Sequence, residues 1–165
     1  MTPRPPGAAA RLSRWWAALA PLPGGRWLFS KLFGVLVPYS GSIGARIEVL
    51  EPGYCRAVLR ERRAVRQHLG SVHAVALVNL GEMTSGLAMT LAVPDGIRGI
   101  VTHLEADYQK KARGLLTAEA RVTVPEIAAE PVDHRVETTI RDATGETVCR
   151  VASVWRLASE PPRSR

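Results

Sequence analysis

The feature that most constrains this chain is residues 72–92, a long run of mainly Ala, Leu, Val and Met with one charged residue, Glu82, near its middle. Ser71 in front of it is a favourable N-cap, and Pro94-Asp95-Gly96 stops it, which predicts one helix of about six turns. A bilayer span needs roughly 20 apolar residues with no charge. Glu82 and the Pro-Asp-Gly stop therefore favour a helix buried in a protein core. A helix apolar on all sides has to be covered by the rest of its own chain.

The cover is legible in the flanking residues, where the apolar period changes from helical to alternating. In residues 43–49, Ile43, Ala45, Ile47 and Val49 fall on one face and Arg46 and Glu48 on the other, the pattern of a half-buried strand. Pro52-Gly53 turns the chain into a second such run, 54–61, and four more follow at 97–110, 115–124, 134–141 and 147–157. Ala143-Thr144-Gly145 is a hairpin signal between the last two. In front of the strands, residues 12–20 and 27–37 are helix-compatible and separated by the breakers Pro21 to Gly25. The expectation is an α+β fold in which a curled antiparallel sheet of about six strands wraps one long central helix. Residues 11–158 form a single domain, with an N-terminal helical lid at 11–40. Residues 1–10, with Pro3, Pro5, Pro6 and Gly7, and the tail 159–165 are expected to be disordered.

A chain of 165 residues suits one sizeable core. The net charge of +7 is unevenly placed. Six of the 22 Lys and Arg precede the first acidic residue, Glu48, which leaves sixteen against 15 acidic residues in the remainder. No helix-turn-helix, zinc-finger or RNA-binding pattern accompanies the charge, so nucleic acid is not an expected partner. Peripheral contact of the basic N-terminal segment with an anionic membrane remains as a reading. Cys55 and Cys149 lie far apart in alternating apolar runs, which suits buried free thiols in a reducing compartment, and the chain is expected to be cytoplasmic. No CxxC, HExxH, nucleotide-binding glycine loop or GxSxG occurs, so no metal or cofactor is implied.

A carboxylate in the middle of a buried helix costs several kcal/mol unless something compensates. Glu82 is either paired structurally with a polar neighbour or serves as a general base or nucleophile facing a substrate tunnel. Asn79, three residues earlier, shares its helix face and either orients the carboxylate or fills a polar pocket.

The run from Gln67 through His68, Gly70, Ser71, His73, Ala74 and Val75 to Glu82 resembles the loop-to-helix motif of hot-dog-fold acyl-CoA thioesterases of the phenylacetate-pathway type. In that family an Asn precedes His-Gly-Gly, and an acid follows the His by nine positions. Here Gln67 stands at the Asn position, His73 at the His, Ala74-Val75 at Gly-Gly, and Glu82 at the acid. The segment from Tyr108 to Leu116 resembles the family's joint between two strands. Residues 43–157 fit the fold, and the chain looks closest to the DUF4442 branch.

The resemblance implies an acyl-CoA thioesterase-like hydrolase that takes acyl-CoA or another acyl thioester and works as a homodimer, or as dimers paired into a tetramer. It implies that backbone N–H groups of Ala74 and Val75 polarise the thioester carbonyl. Glu82 then activates water or attacks directly, with Gln67 positioning the water and Asn79 beside the carboxylate. His73 supports the helix start, and Gly70, Ser71 and His68 complete the binding loop. Arg62, Arg63 and Arg66 before the helix, and Lys110, Lys111 and Arg113 after the third strand, are candidates for the phosphates of coenzyme A, or else solvated charge. The Gln67 and Ala74-Val75 replacements keep open a non-catalytic acyl-CoA or fatty-acid binding protein.

Overall fold

The computed structural model describes residues 7–127 and 130–159. Three helices open the chain: α1 (Ala8–Leu19), α2 (Gly25–Leu36) and α3 (Pro38–Ser42). Strands β1 (Arg46–Glu51) and β2 (Tyr54–Arg60) form a hairpin about Gly53, whose φ of 77° lies in the left-handed region glycine tolerates. A 3-10 turn at Arg63–Val65 leads into the central helix α4 (Ala74–Ala92). Strands β3 (Ile97–Tyr108), β4 (Leu115–Arg121), β5 (Val132–Arg141) and β6 (Thr147–Ser159) complete the chain.

The six strands form one antiparallel sheet in the order β1-β2-β4-β5-β6-β3. Its concave face packs on α4, which touches every strand. The alternation read from the sequence sets this face. Cys55, Ala57 and Leu59 of β2, Leu116, Ala118 and Ala120 of β4, and Val136, Thr138 and Ile140 of β5 all point inward. From the helix side come Leu77, Leu80, Met83, Leu87, Ala88 and Met89. Burying a leucine such as Leu80 contributes roughly 1.5–3 kcal/mol. Cys55 and Cys149 are buried free thiols.

The two edges of the sheet differ. At β1 the Ile47 N–H donates to the Ser30 hydroxyl of α2 at 2.9 Å, so a helix side chain occupies part of that edge. At the other edge β3 runs for 12 residues with β6 on one side, and Ile100 and Leu104 stand exposed on it.

Several expected boundaries move. The central helix begins at Ala74, with His73 rather than Ser71 as N-cap. Val72 N–H is committed to Ala112 O at 2.9 Å and His73 N–H to Val65 O at 2.8 Å, which keeps both residues extended. The first strand starts at Arg46, because α3 and Gly44, at φ 64°, occupy the preceding residues. Ala8–Ala10, expected to be disordered, belong to α1, since the prolines end before them. Ser159 belongs to β6, paired with Ile97. The remainder of both expected disordered ends, 1–6 and 160–165, lies outside the described residues.

Candidate active site

The loop from Gln67 to His73 is fixed at both flanks before the helix begins. Arg66 and Val72 bridge as an antiparallel pair, Gln67 N–H donates to Ser71 O at 2.9 Å, and Gln67 Nε2 donates to Ser71 Oγ at 2.8 Å. Gly70 turns the loop with φ 71°, a value that disfavours any other residue. Its carbonyl accepts from Arg113 Nε at 3.1 Å. Glu61 ties the two flanks together: one carboxylate oxygen accepts from Gly114 N–H at 2.6 Å and the other from Arg66 Nε at 2.7 Å. The Gly114 bond, with Arg66 beside it, holds the Glu61 carboxyl below the usual range.

At the helix start His73 Nδ1 accepts from Val75 N–H at 3.1 Å, and His73 O accepts from Ala76 and Leu77 N–H. Of the first helical donors, Ala74 N–H is the one without a hydrogen-bond partner among the described residues. It carries the positive end of a 19-residue helix.

Two clefts flank this point. One, of about 250 Å³, is lined by Gln67, Ser71, Ala74, Tyr108, Lys110 and Lys111. The other, of about 280 Å³, is lined by Tyr39, Ser42, Arg66, His73, Val75 and Asn79. Each is smaller than the roughly 300 Å³ at which ordinary ligand pockets begin. Asn79 is 6 % exposed; its Nδ2 donates to Tyr39 O at 3.0 Å while its Oδ1 is buried with no partner among the described residues.

Glu82 lies further along α4, half-buried beside Gly86 and Trp155. A Cβ on Gly86 would stand 2.9 Å from the Trp155 ring and 3.9 Å from Glu82 Oε1. Among the described residues its carboxylate makes no hydrogen bond or ion pair, and burial pushes its pKa up. The structural partner that one reading of the sequence required is therefore absent among these residues. Eight residues of helical rise separate Glu82 from Ala74, about 12 Å along the axis. A protomer thus brings Gln67, Ser71 and Ala74 together in one cleft, and His73, Val75 and Asn79 in the other, but brings Glu82 to neither.

The phosphate candidates are unequally free. Lys110 pairs with Asp142 at 2.7 Å and also with Glu146, and these bonds hold its ammonium above its usual pKa. Arg66 is held by Glu61 and Arg113 by Gly70 O. Arg62 donates to Ile43 O at 2.9 Å. Arg63 and Lys111 form no ion pair among the described residues, and His68 is exposed. Three residues at the site escaped the sequence reading: Glu61, Tyr39 through its carbonyl, and Tyr108, whose hydroxyl donates to Ala74 O at 3.3 Å. Only Tyr108 carries a signal, as the first residue of the segment that resembles the joint between two strands.

A six-stranded antiparallel sheet curled around one long helix, with a loop and helix start exposed at one end, is the hot-dog fold. The chain belongs to the DUF4442 family, a domain of unknown function, whose pattern matches residues 25–157. Among solved structures, the structural-genomics protein APC5556 is 26 % identical, covering 91 % of this chain and 99 % of its own at a TM-score of 0.78. PA5026 from Pseudomonas aeruginosa, described as a protein of unknown function and probable thioesterase, is 25 % identical, with coverages of 84 % and 97 % and a TM-score of 0.70. The thioesterase HI1161 from Haemophilus influenzae shares the fold at 17 % identity, with coverages of 73 % and 82 % and a TM-score of 0.64. No protein of curated function matches.

Proposed function

We propose that this chain hydrolyses an acyl thioester, acyl-CoA or a close analogue, at a site made by two copies. The observation that carries the reading is the unpaired, half-buried Glu82 on the same helix whose first N–H, at Ala74, is free. With about 12 Å between them along one helix, the two meet on a substrate when the helix start of one copy faces Glu82 of another. The long unpaired edge at β3 supports such a pair, because an exposed twelve-residue edge is a template for a second strand.

In this arrangement Ala74 N–H takes the thioester carbonyl oxygen, where negative charge develops. Val75 N–H is engaged by His73, which leaves His73 the role of holding the helix start. Glu82, with its raised pKa, removes a proton from water as the water oxygen adds to the carbonyl carbon. The C–S bond then breaks, with the proton passing to the departing thiolate. Alternatively Glu82 attacks the carbonyl itself, expelling the thiolate to leave a mixed anhydride that water hydrolyses. Gln67 lies in the Ala74 cleft and orients the water. Asn79 holds the Tyr39 carbonyl through Nδ2 and so shapes the second cleft. Arg63 and Lys111 are the cations available to a phosphate, with Arg66, Lys110 and Arg113 as partly committed neighbours.

The second reading, binding without hydrolysis, is favoured by Val75, half exposed where the resembled enzymes carry glycine, and by the capping of its N–H. Thiol release from a panel of acyl-CoA substrates, measured beside acyl-CoA binding, tests both. Turnover lost in Glu82→Gln with binding kept supports hydrolysis; binding without turnover in the native protein establishes the second reading.

A further inference from the structure

The face of α2 turned away from the core has no counterpart among the described residues. Phe29 and Phe33 point inward and are 1 % and 9 % exposed, with Phe29 set edge-on to Trp16 of α1 at 5.1 Å between ring centroids. The other side of the helix is equally apolar. Leu28, Leu32, Val35 and Leu36, at the spacing of one helical stripe, are 41 %, 40 %, 77 % and 58 % exposed. Trp27 and Tyr39 flank them at 56 % and 70 %. A helix apolar all round is normally buried on all sides, and a contiguous exposed apolar patch on a soluble protein marks an interaction surface.

The cations of α2 and of α1, which packs against it, bear on what covers the patch. Lys31 lies over the Trp27 ring, 5.9 Å from its centroid, and neighbouring α1 presents the exposed cations Arg11 and Arg14. No acidic residue precedes Glu48 in the chain, and Glu48 is already paired with Arg26 and Arg46. A second copy docking through the same face about a two-fold axis would set these cations against one another. Anionic lipid headgroups complement them, while the apolar stripe and the flanking aromatic rings suit the boundary below the headgroups.

The patch is also rigid. The α2 and α3 backbones cross at Gly34 and Gly41, where a Cβ on Gly41 would stand 2.4 Å from the Gly34 Cα. The Ser30 hydroxyl anchors α2 to β1 on its other side.

We infer that the outer face of α2, with Tyr39 of α3 and the cations of α1, is a docking surface for an anionic lipid bilayer. This inference stands apart from the thioester reading and does not depend on any catalysis.

Co-sedimentation of the full chain with vesicles tests it, using phosphatidylglycerol mixed with phosphatidylcholine in equal parts and phosphatidylcholine alone. The chain binds the anionic vesicles, binds the neutral ones weakly, and is released by salt. Leu32→Ser combined with Val35→Ser lowers the anionic partition about tenfold or more, and Lys31→Glu lowers it and makes what binding remains less sensitive to salt. Both variants alter exposed side chains, so melting temperature is expected to be unchanged and is measured alongside. Absence of binding to anionic vesicles overturns the inference, as does equal binding by the serine variant. A drop in sedimenting mass of the serine variant without lipid overturns it too, and assigns the face to a contact between copies.

Discussion

Gly81 of α4 and Val151 of β6 meet with no room for a methyl group between them: a Cβ on Gly81 would stand 2.4 Å from the Val151 Cβ. The helix is drawn onto the sheet at this point, and Thr138 Oγ1 donates to Gly81 O at 2.8 Å. Two effects oppose each other in Gly81→Ala. Helix propensity favours alanine by about 1 kcal/mol, whereas overpacking in a close-packed core costs about 1–3 kcal/mol. The variant is expected to be less stable, and adding Val151→Ala should recover part of the loss in thermal denaturation. A variant more stable than the native protein would show that the sheet yields here.

Glu82→Gln separates chemistry from stability. As a general base its loss lowers turnover by about two orders of magnitude, with acyl-CoA affinity little changed. The pH dependence follows from burial, which raises the folded-state pKa above the unfolded value. Folding then favours the protonated form, so stability associated with this group is full below the unfolded pKa and is lost as pH rises through the folded pKa. Glu82→Gln should accordingly melt higher than the native protein at neutral pH, with the gain disappearing in acid. The acid limb of the native pH-rate profile should lie above the ordinary carboxylate range.

His73 caps α4 through Nδ1. His73→Ala should lower stability by about 1 kcal/mol, the usual cost of a lost N-cap, and His73→Asn should restore most of it. If His73 instead acts as a base, the asparagine variant will fold normally and fail to turn over, which kinetic and melting measurements on the two variants distinguish.

Ala74 is the first residue of its helix, where proline is tolerated, and His73 before it is already extended at φ −65° and ψ 139°. Ala74→Pro therefore deletes the free N–H while keeping the fold, and should reduce turnover by about 10²–10³-fold if that N–H holds the carbonyl. In a site shared between copies, mixed dimers of Ala74→Pro with Glu82→Gln contain one intact site. Unfolding and refolding the two inactive variants together should restore activity; continued inactivity of the mixture places both groups in one protomer.

The two cysteines supply a further check, on the core. Burial pushes the Cys55 thiol up to about 12 and the Cys149 thiol up to about 11. Neither should react with an aromatic disulfide reagent in mildly alkaline buffer, and both should react once the protein is unfolded. Fast labelling of the native protein would mean that β2 or β6 opens readily.

What local sequence carries and what it cannot carry is visible in these residues. The central helix and six strands are readable because burial on one side imposes a period, and Leu116, Ala118 and Ala120 keep that period after folding. The start of α4 is not legible locally, because its position depends on Ala112 and Val65, whose hydrogen bonds hold Val72 and His73 extended. The same limit applies at the site. Gln67, His73 and Ala74 are close in sequence and could be read as one motif, while Glu61 meets Gly114 across 53 positions and Asn79 meets Tyr39 across 40. For Lys110, a phosphate candidate or solvated charge by sequence, the partners Asp142 and Glu146 lie on a distant hairpin that local sequence does not connect to it.

The unequal edges of the sheet bear on how many copies can join. Ser30 occupies a backbone donor at β1, so that side is blunted by the chain's own helix, whereas the outer edge of β3 has no strand beside it among the described residues. Strands added at both sides would permit open-ended growth into fibres. With one side blunted, pairing through β3 uses up the free edge of both participants, and assembly by strand addition terminates at two.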